Sequence, residues 1–363
     1  VRVTVVGAGV VGCAVAHALA SRGAAVTIVD PRGAGRGATA ASAGILAPHI
    51  ESHTASFLRL ALCSLASWDE FLHRVNADST REVEYDRSGT LQVALDATQA
   101  NALEAAARSL QAAGVECSLL DAQATVRLEP ALTTHAVASL LLPAHGYVAP
   151  QPLVAALIEA AMHRGVSLQI ARVTAVEEES PGPCLVTDTG RMTADAIVVA
   201  AGSWSSGVVK PHGPPAVTPI RGQLVQLWHR PRVASRVVWS EHCYIVPWRD
   251  GTVLVGATVE DVGFDENTTA QGIRGLIEAG SELIPALDGA QFQEARAGLR
   301  PKTSDELPAI GRSSTMPHVF YATGHYRNGV LLAPLTATLV ADLVLDGRER
   351  PELADVRPDR FGL

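Results

Sequence analysis

The chain has no CxxC pair. Its five cysteines, Cys13, Cys63, Cys117, Cys184 and Cys243, are odd in number and far apart. This argues against a disulfide framework or a zinc site, so no metal is expected, and it fits a reducing cytoplasm. Internal repeats, coiled-coil heptads and low-complexity linkers are also missing. Charged residues make up only 18% of the chain, and the net charge of −8 is scattered. No basic stripe is offered to a nucleic acid. No long basic leader precedes the apolar stretch from Val3 to Ala20, which contains Gly7, Gly9 and Gly12. It reads as a buried strand running into a helix rather than an export signal, and no membrane partner is expected.

What is present is apolar substance. Hydrophobic residues are 47% of 363, enough for the cores of two ordinary domains. Val3 to Val6 predicts a short buried strand, Val10 to Ser21 a helix ended by Gly23, and Val26 to Val29 a second strand stopping at Asp30. This is one βαβ unit. Apolar residues recur at helical spacing over Phe57–Val75, and helices are expected over Thr98–Ala113, Pro152–Arg164 and Thr269–Leu283. Val166 to Val176 reads as a strand, and Ala196 to Ala200 as a buried one. From Val217 to Thr258 the pattern alternates over long strands, with Phe292 to Arg300 a further one. This predicts an antiparallel sheet with one face free to wall a pocket.

Gly7-Ala8-Gly9-Val10-Val11-Gly12 fits the dinucleotide fingerprint in its required place, between strand and helix. Gly7 permits the tight turn, Gly9 admits a pyrophosphate, and Gly12 lets helix and strand pack closely. Asp30, followed by Pro31, ends the second strand where a carboxylate can accept ribose hydroxyls. Arg32 either faces a 2′-phosphate or is solvated. The fingerprint alone does not separate FAD from NAD. The small residues from Gly37 to Leu46, with the hydroxyls of Thr39 and Ser42 and the backbone of Ala43 and Gly44, favour FAD. Read in isolation, the same segment is equally a flexible surface loop. Near the other end, Gly324-His325-Tyr326-Arg327-Asn328-Gly329 lies between an apolar strand (Val319 to Ala322) and a helix opening at Val330-Leu331. Such a turn exposes unpaired N–H groups to an electron-rich ligand.

Together these segments resemble the D-amino acid oxidase-like flavoenzymes, and among them the glycine oxidases of thiamine thiazole synthesis. The likeness is carried by the fingerprint, SAGILAP, His242-Cys243-Tyr244-Ile245-Val246-Pro247, Gly256-Ala257-Thr258, Gly298-Leu299-Arg300-Pro301 and Gly324 to Pro334. It runs the whole chain in order. It implies an α/β protein: a Rossmann-type FAD-binding domain (1–80, 145–216 and 305–363) interleaved with a mainly antiparallel α+β substrate domain (81–144 and 217–304). It implies FAD held by the residues named above, from Gly7 to Leu46 and from Gly324 to Leu331, together with Val173, Ala201, Gly202 and Trp204. It assigns Arg300 a substrate carboxylate, which a guanidinium grips through parallel hydrogen bonds. Tyr244 would add a second contact; from sequence alone it equally reads as a core tyrosine. Arg327 either touches substrate or balances charge near the flavin. His242 is pocket lining or a satisfied strand histidine. Val259 stands where the glycine oxidases carry methionine, which alters the pocket volume.

The reaction so implied is oxidation of a small amino acid (glycine, sarcosine or D-alanine) with O2 to a 2-oxo acid, ammonia and hydrogen peroxide. A hand-off to thiazole synthase is an option, and a homo-oligomer is left open. A related D-amino acid or secondary-amine dehydrogenase is the near alternative. A non-catalytic redox sensor is the distant one, and it has no need of a carboxylate clamp.

Overall fold

A computed structural model describes residues 1–51, 54–178, 182–209 and 216–363. Residues 52–53, 179–181 and 210–215, all within the expected nucleotide-binding segments, lie outside the described residues.

Two large sheets organise the chain. The first has six strands in the order Ala309–Arg312, Val319–Thr323, Ala196–Val199, Arg2–Val6, Ala25–Asp30, Ser167–Ile170. All pairings are parallel except that of the first two strands, which is antiparallel. Side chains alternate across a strand, so each face needs its own cover. Val3, Val5 and Val198 pack under the helices Val10–Ser21, Pro150–His163 and Gly329–Asp346. Ile197, Val199 and Tyr321 turn the other way, onto a three-stranded antiparallel sheet carrying Val176 and Leu185. The helix Gly329–Asp346 is long and apolar enough to cross a membrane, yet it is mostly buried here, against Val10–Ser21 and Ala55–Ala66.

The second sheet has eight strands in the order Gln291–Lys302, Thr218–Trp228, Thr252–Gly256, Tyr244–Pro247, Val237–Trp239, Thr90–Ala94, Ala138–Leu142, Ser118–Asp121. Only Val237–Trp239 with Thr90–Ala94 is parallel. Ile245, Val253 and Val255 face the helix Ala270–Leu283, whose amide at Gly272 is capped by the Thr269 hydroxyl. Leu224, Tyr244, Val246 and Leu254 face the opposite way, towards Ala41, Ala43 and Tyr147. Of these four, Tyr244 reaches the cavity between the two sheets, and the others are packed core.

Two expected elements are broken. The helical stretch Phe57–Val75 is two helices, Ala55–Ala66 and Trp68–Asp78. At the joint the Ser67 hydroxyl donates to the Ser64 carbonyl, while Ser64 and the Trp68 indole both donate to the Leu331 carbonyl. The chain bends around that one acceptor. The strand expected over Val166–Val176 is likewise two, Ser167–Ile170 and Val173–Glu178, in different sheets. Between them Arg172 and Asp188 exchange hydrogen bonds and redirect the backbone. The helix read from Pro152 starts two residues earlier, because Pro150 occupies its first turn, where a missing N–H costs nothing.

Candidate active site

A cavity of about 550 Å³ lies between the sheets. Its dinucleotide end is made largely of backbone. Gly7 has φ +108°, and a Cβ there would lie 2.4 Å from the Ala200 carbonyl oxygen. A Cβ on Gly12 would lie 2.0 Å from the Gly7 carbonyl oxygen. Both glycines are required by packing. Gly9 differs: its added Cβ would meet only the Thr39 hydroxyl, at 3.5 Å, and otherwise point into the cavity. The helix begins there, and Thr39 accepts from the Val10 amide at 3.1 Å. The Asp30 carboxylate accepts from the amides of Ala8 (2.9 Å), Arg32 (2.7 Å) and Gly33 (3.0 Å), so it ties the two turns together.

Arg32 stays partly exposed but is not left free for a phosphate. It pairs with Glu266 at 2.9 Å and lies 4.4 Å over the Trp204 ring, which in turn meets Phe264. The segment carrying Phe264 and Glu266 is held from below by Arg221, a buried guanidinium bonded to Glu260 and Asp265. The second sheet thus reaches over the mouth of the dinucleotide end.

The 324–329 turn is stitched to the end of Gln291–Lys302. The Tyr326 amide donates to the Pro301 carbonyl at 2.8 Å, and Lys302 sits 5.3 Å over the Tyr326 ring. Gly324, at φ +74°, leaves no room for a Cβ beside Thr303, while Tyr326 is itself in the left-handed region at φ +48°. His325 is buried and bonds to the Thr336 hydroxyl at 3.0 Å; burial pushes its pKa down to about 3, so it is neutral at working pH.

Two charged side chains meet a tyrosine at the other end. Arg300 lies across Gly222, where any Cβ would strike its guanidinium at 2.1 Å. Its Nη1 donates to the carbonyls of Thr258 (2.9 Å) and Arg221 (3.3 Å), which fixes the plane of the group. The Tyr244 ring lies over Gly256 in the same way, 2.5 Å from an added Cβ. Its hydroxyl is reached by Arg300. Burial raises the Tyr244 pKa, with Glu51 adding to the rise and Arg300 and Arg327 opposing it. Arg327 pairs with Glu51, Nε to Oε2, at 3.3 Å.

Most of the residues singled out from the sequence line this one cavity: Gly7, Gly9, Val10, Val11, Asp30, Pro31, Arg32, Thr39, Ser42, Ala43, Gly44, Val173, Ala201, Gly202, Trp204, Tyr244, Arg300, His325, Tyr326, Arg327, Asn328, Gly329 and Val330. Ala8, Gly12 and Gly324 stand behind the wall as turn and packing positions. Leu46 and Leu331 are fully buried core. His242 and Val259 are not part of the wall. The chain bends at His242 before the strand begins at Tyr244, and the side chain is exposed. Val259 is 57% exposed, between Thr258, whose carbonyl takes Arg300, and Glu260, which turns inward to Arg221. The sequence reading passed over Glu51, Arg172 and Glu266, which do line the cavity.

A parallel sheet with a glycine cradle, opening onto an antiparallel sheet that presents an arginine and a tyrosine, defines a dinucleotide-dependent oxidoreductase. The comparisons make that definite. The chain belongs to the FAD dependent oxidoreductase (DAO) family, matched over residues 2–343. It is 32% identical to a glycine oxidase of Geobacillus kaustophilus, over 98% of this chain and 95% of that one. The crystal structure of glycine oxidase from Geobacillus kaustophilus superposes with a TM-score of 0.93, at 30% identity and 98% coverage of both chains. An iminodiacetate oxidase from Chelativorans sp. BNC1 superposes with a TM-score of 0.90, at 27% identity, covering 98% of this chain and 99% of that one. A bifunctional protein ThiO/ThiG of Synechocystis is 32% identical over 99% of this chain, which spans 54% of that relative's length. The chain is therefore an FAD-dependent oxidoreductase. The cavity fits FAD on its own geometry, because Gly9 and the 37–44 segment leave an open cradle at a helix start.

Proposed function

We propose that the chain oxidises small amino acids, glycine foremost, to the 2-oxo acid and ammonia. Support comes from one arrangement: Arg300, fixed over Gly222, and the Tyr244 hydroxyl share a cavity with the dinucleotide cradle. A guanidinium whose Nη1 is anchored by carbonyl oxygens presents its remaining face to a carboxylate without reorganising. Tyr244 is held protonated by burial and donates to the same carboxylate. The two sheets close around the bound amino acid and exclude water, and the carboxylate contacts fix which face of Cα is presented. Bound FAD supplies the two-electron acceptor and, with O2, returns hydrogen peroxide. Orientation carries the catalysis, and no protein base is required. In this reading Gly7 to Gly12, the 37–44 segment and the 324–329 turn hold the cofactor.

The relatives named glycine oxidase favour this substrate class, and the bifunctional ThiO/ThiG relative favours a role in supplying thiamine thiazole synthesis. The five free thiols favour a cytoplasmic setting. A peroxide-coupled assay beside a dye-reduction assay tests the proposal. We expect turnover of glycine, some of sarcosine and D-alanine, and none of L-alanine, whose methyl group takes the place of the departing hydrogen. Rapid L-alanine turnover rejects the pose. Dye reduction without peroxide makes the protein a dehydrogenase.

A further inference from the structure

Among the described residues, the substrate end of the cavity holds two guanidinium groups, Arg300 and Arg327, and one carboxylate, Glu51. They are not equivalent. Glu51 ends the short helix Pro48–Glu51, its side chain is only 11% exposed, and its Oε2 lies 3.3 Å from Arg327 Nε. Arg300 has no carboxylate within 4 Å among the described residues; its Nη1 rests on carbonyl oxygens. These three groups sum to one net positive charge. A ligand with one carboxylate completes the balance, and buried charges must be balanced. A ligand with two must bring its second carboxylate against Arg327, where Glu51 already stands. That carboxylate displaces a buried acid or is left beside it, and either is unfavourable.

Resting on the amino-acid oxidase reading above, we infer that Glu51 is a specificity-determining residue. By occupying Arg327 it acts as a built-in second carboxylate and restricts the substrate to amino acids with a single carboxylate. Amino acids bearing another one, such as N-carboxymethyl glycine (iminodiacetate) or acidic side chains, are thereby excluded. Of the two arginines only Arg300 takes the carboxylate, and Arg327 is a cation held in reserve.

The test uses the FAD-loaded protein and two acids without an amine, so that binding is read apart from turnover. Butyrate and glutarate share a three-carbon segment and differ by one carboxylate on it. Each is titrated against the flavin absorbance of wild type, Glu51→Gln, Glu51→Leu, Glu51→Asp and the double variant Glu51→Gln/Arg327→Met. The glutarate-to-butyrate affinity ratio should rise about tenfold or more in the two uncharged variants, one charge-assisted contact having been gained. It should stay within about twofold of wild type in Glu51→Asp, and the gain should vanish in the double variant. Two replacements of different shape guard against one failing to fold. An unchanged ratio, an equal gain for both acids, or no response to either acid in any variant overturns the inference. Parallel assays with glycine and iminodiacetate separate the two levels. A shifted ratio without glycine oxidation keeps the role of Glu51 and rejects the proposed reaction. Glycine oxidation with a flat ratio does the reverse.

Discussion

The two ends of the cavity are built by opposite means. The dinucleotide end is mostly backbone: its core of three glycines, one strand-end carboxylate and a helix start lies within the first 30 residues, and the 37–44 segment and the 324–329 turn complete it. The substrate end is side chain: Glu51, Tyr244, Arg300 and Arg327, brought together from four distant segments. A backbone cradle depends on local conformation and tolerates few residue types. A side-chain site depends on what stands opposite each group, such as Gly222 under Arg300 and Gly256 under Tyr244. Generic binding is thus written locally and selectivity at long range.

The sharpest way to break the comparison lies inside the fingerprint itself. Gly12→Val forces a Cβ to within 2.0 Å of the Gly7 carbonyl and should cost more than about 4 kcal/mol, enough to lose the folded protein. Gly9→Val meets only the Thr39 hydroxyl, at 3.5 Å, in an ordinary backbone conformation. It should fold with a near-native melting profile as apoprotein and carry no flavin spectrum. A fully flavinated Gly9→Val would place the phosphates elsewhere.

At the other end, Arg300→Ala should keep its flavin and lose about 2–5 kcal/mol in kcat/KM for glycine. Arg300→Lys should recover part of this, since an ammonium cannot form the parallel pair. Unchanged kinetics in both would transfer the carboxylate to Arg327.

Acid offers a smaller effect. His325, beside the cradle, is held neutral with its pKa near 3, against 6.5 when exposed. Its folded-state value is the lower, so its contribution is complete above about pH 6.5 and is lost as the pH falls towards 3. At pH 5.5 that loss is about 1.4 kcal/mol. Melting curves at pH 7.5 and 5.5 should show a drop that is smaller by about this amount in His325→Asn. The same drop in the variant would mean that His325 is solvated.

The smallest effect is expected where the two regions touch over the mouth. Arg32 and Glu266 are each more than a third exposed, and such pairs contribute about 0–1 kcal/mol. Glu266→Gln should weaken FAD binding by no more than about fivefold, and added salt should erase the difference. A larger loss would make that contact a true clasp.

Legibility in the sequence follows the same division. Gly7, Gly9, Gly12 and Asp30 are readable because a turn between a strand and a helix imposes their spacing. The strands from Thr218 to Gly256 are readable because their apolar residues recur with the period of two that a strand imposes, and both faces are covered. The break at Ser67 is not, since it depends on the Leu331 carbonyl, far along the chain. Glu51 and Glu266 escape for the same reason: each is an ordinary acid until its arginine is known. His242 and Val259 mislead in another way. They neighbour residues that face the cavity, but a bend and a strand end turn both outward.

The ribbon formed by Thr218–Trp228 and Gln291–Lys302 also has an evolutionary consequence. Along it, Gly298 packs on Ala38 and Ala41, Arg300 lines the cavity, and the Pro301 carbonyl anchors Tyr326. The ribbon absorbs one extra residue as a bulge beside Gln226, but because faces alternate, one inserted or deleted between that bulge and Gly298 turns Gly298 and Arg300 to the other face together. On this plan a change of substrate preference is expected first from side chains exchanged at fixed positions or from loops remodelled at the rim. The beam is a frozen coordinate system, and diversification has to be sought around it.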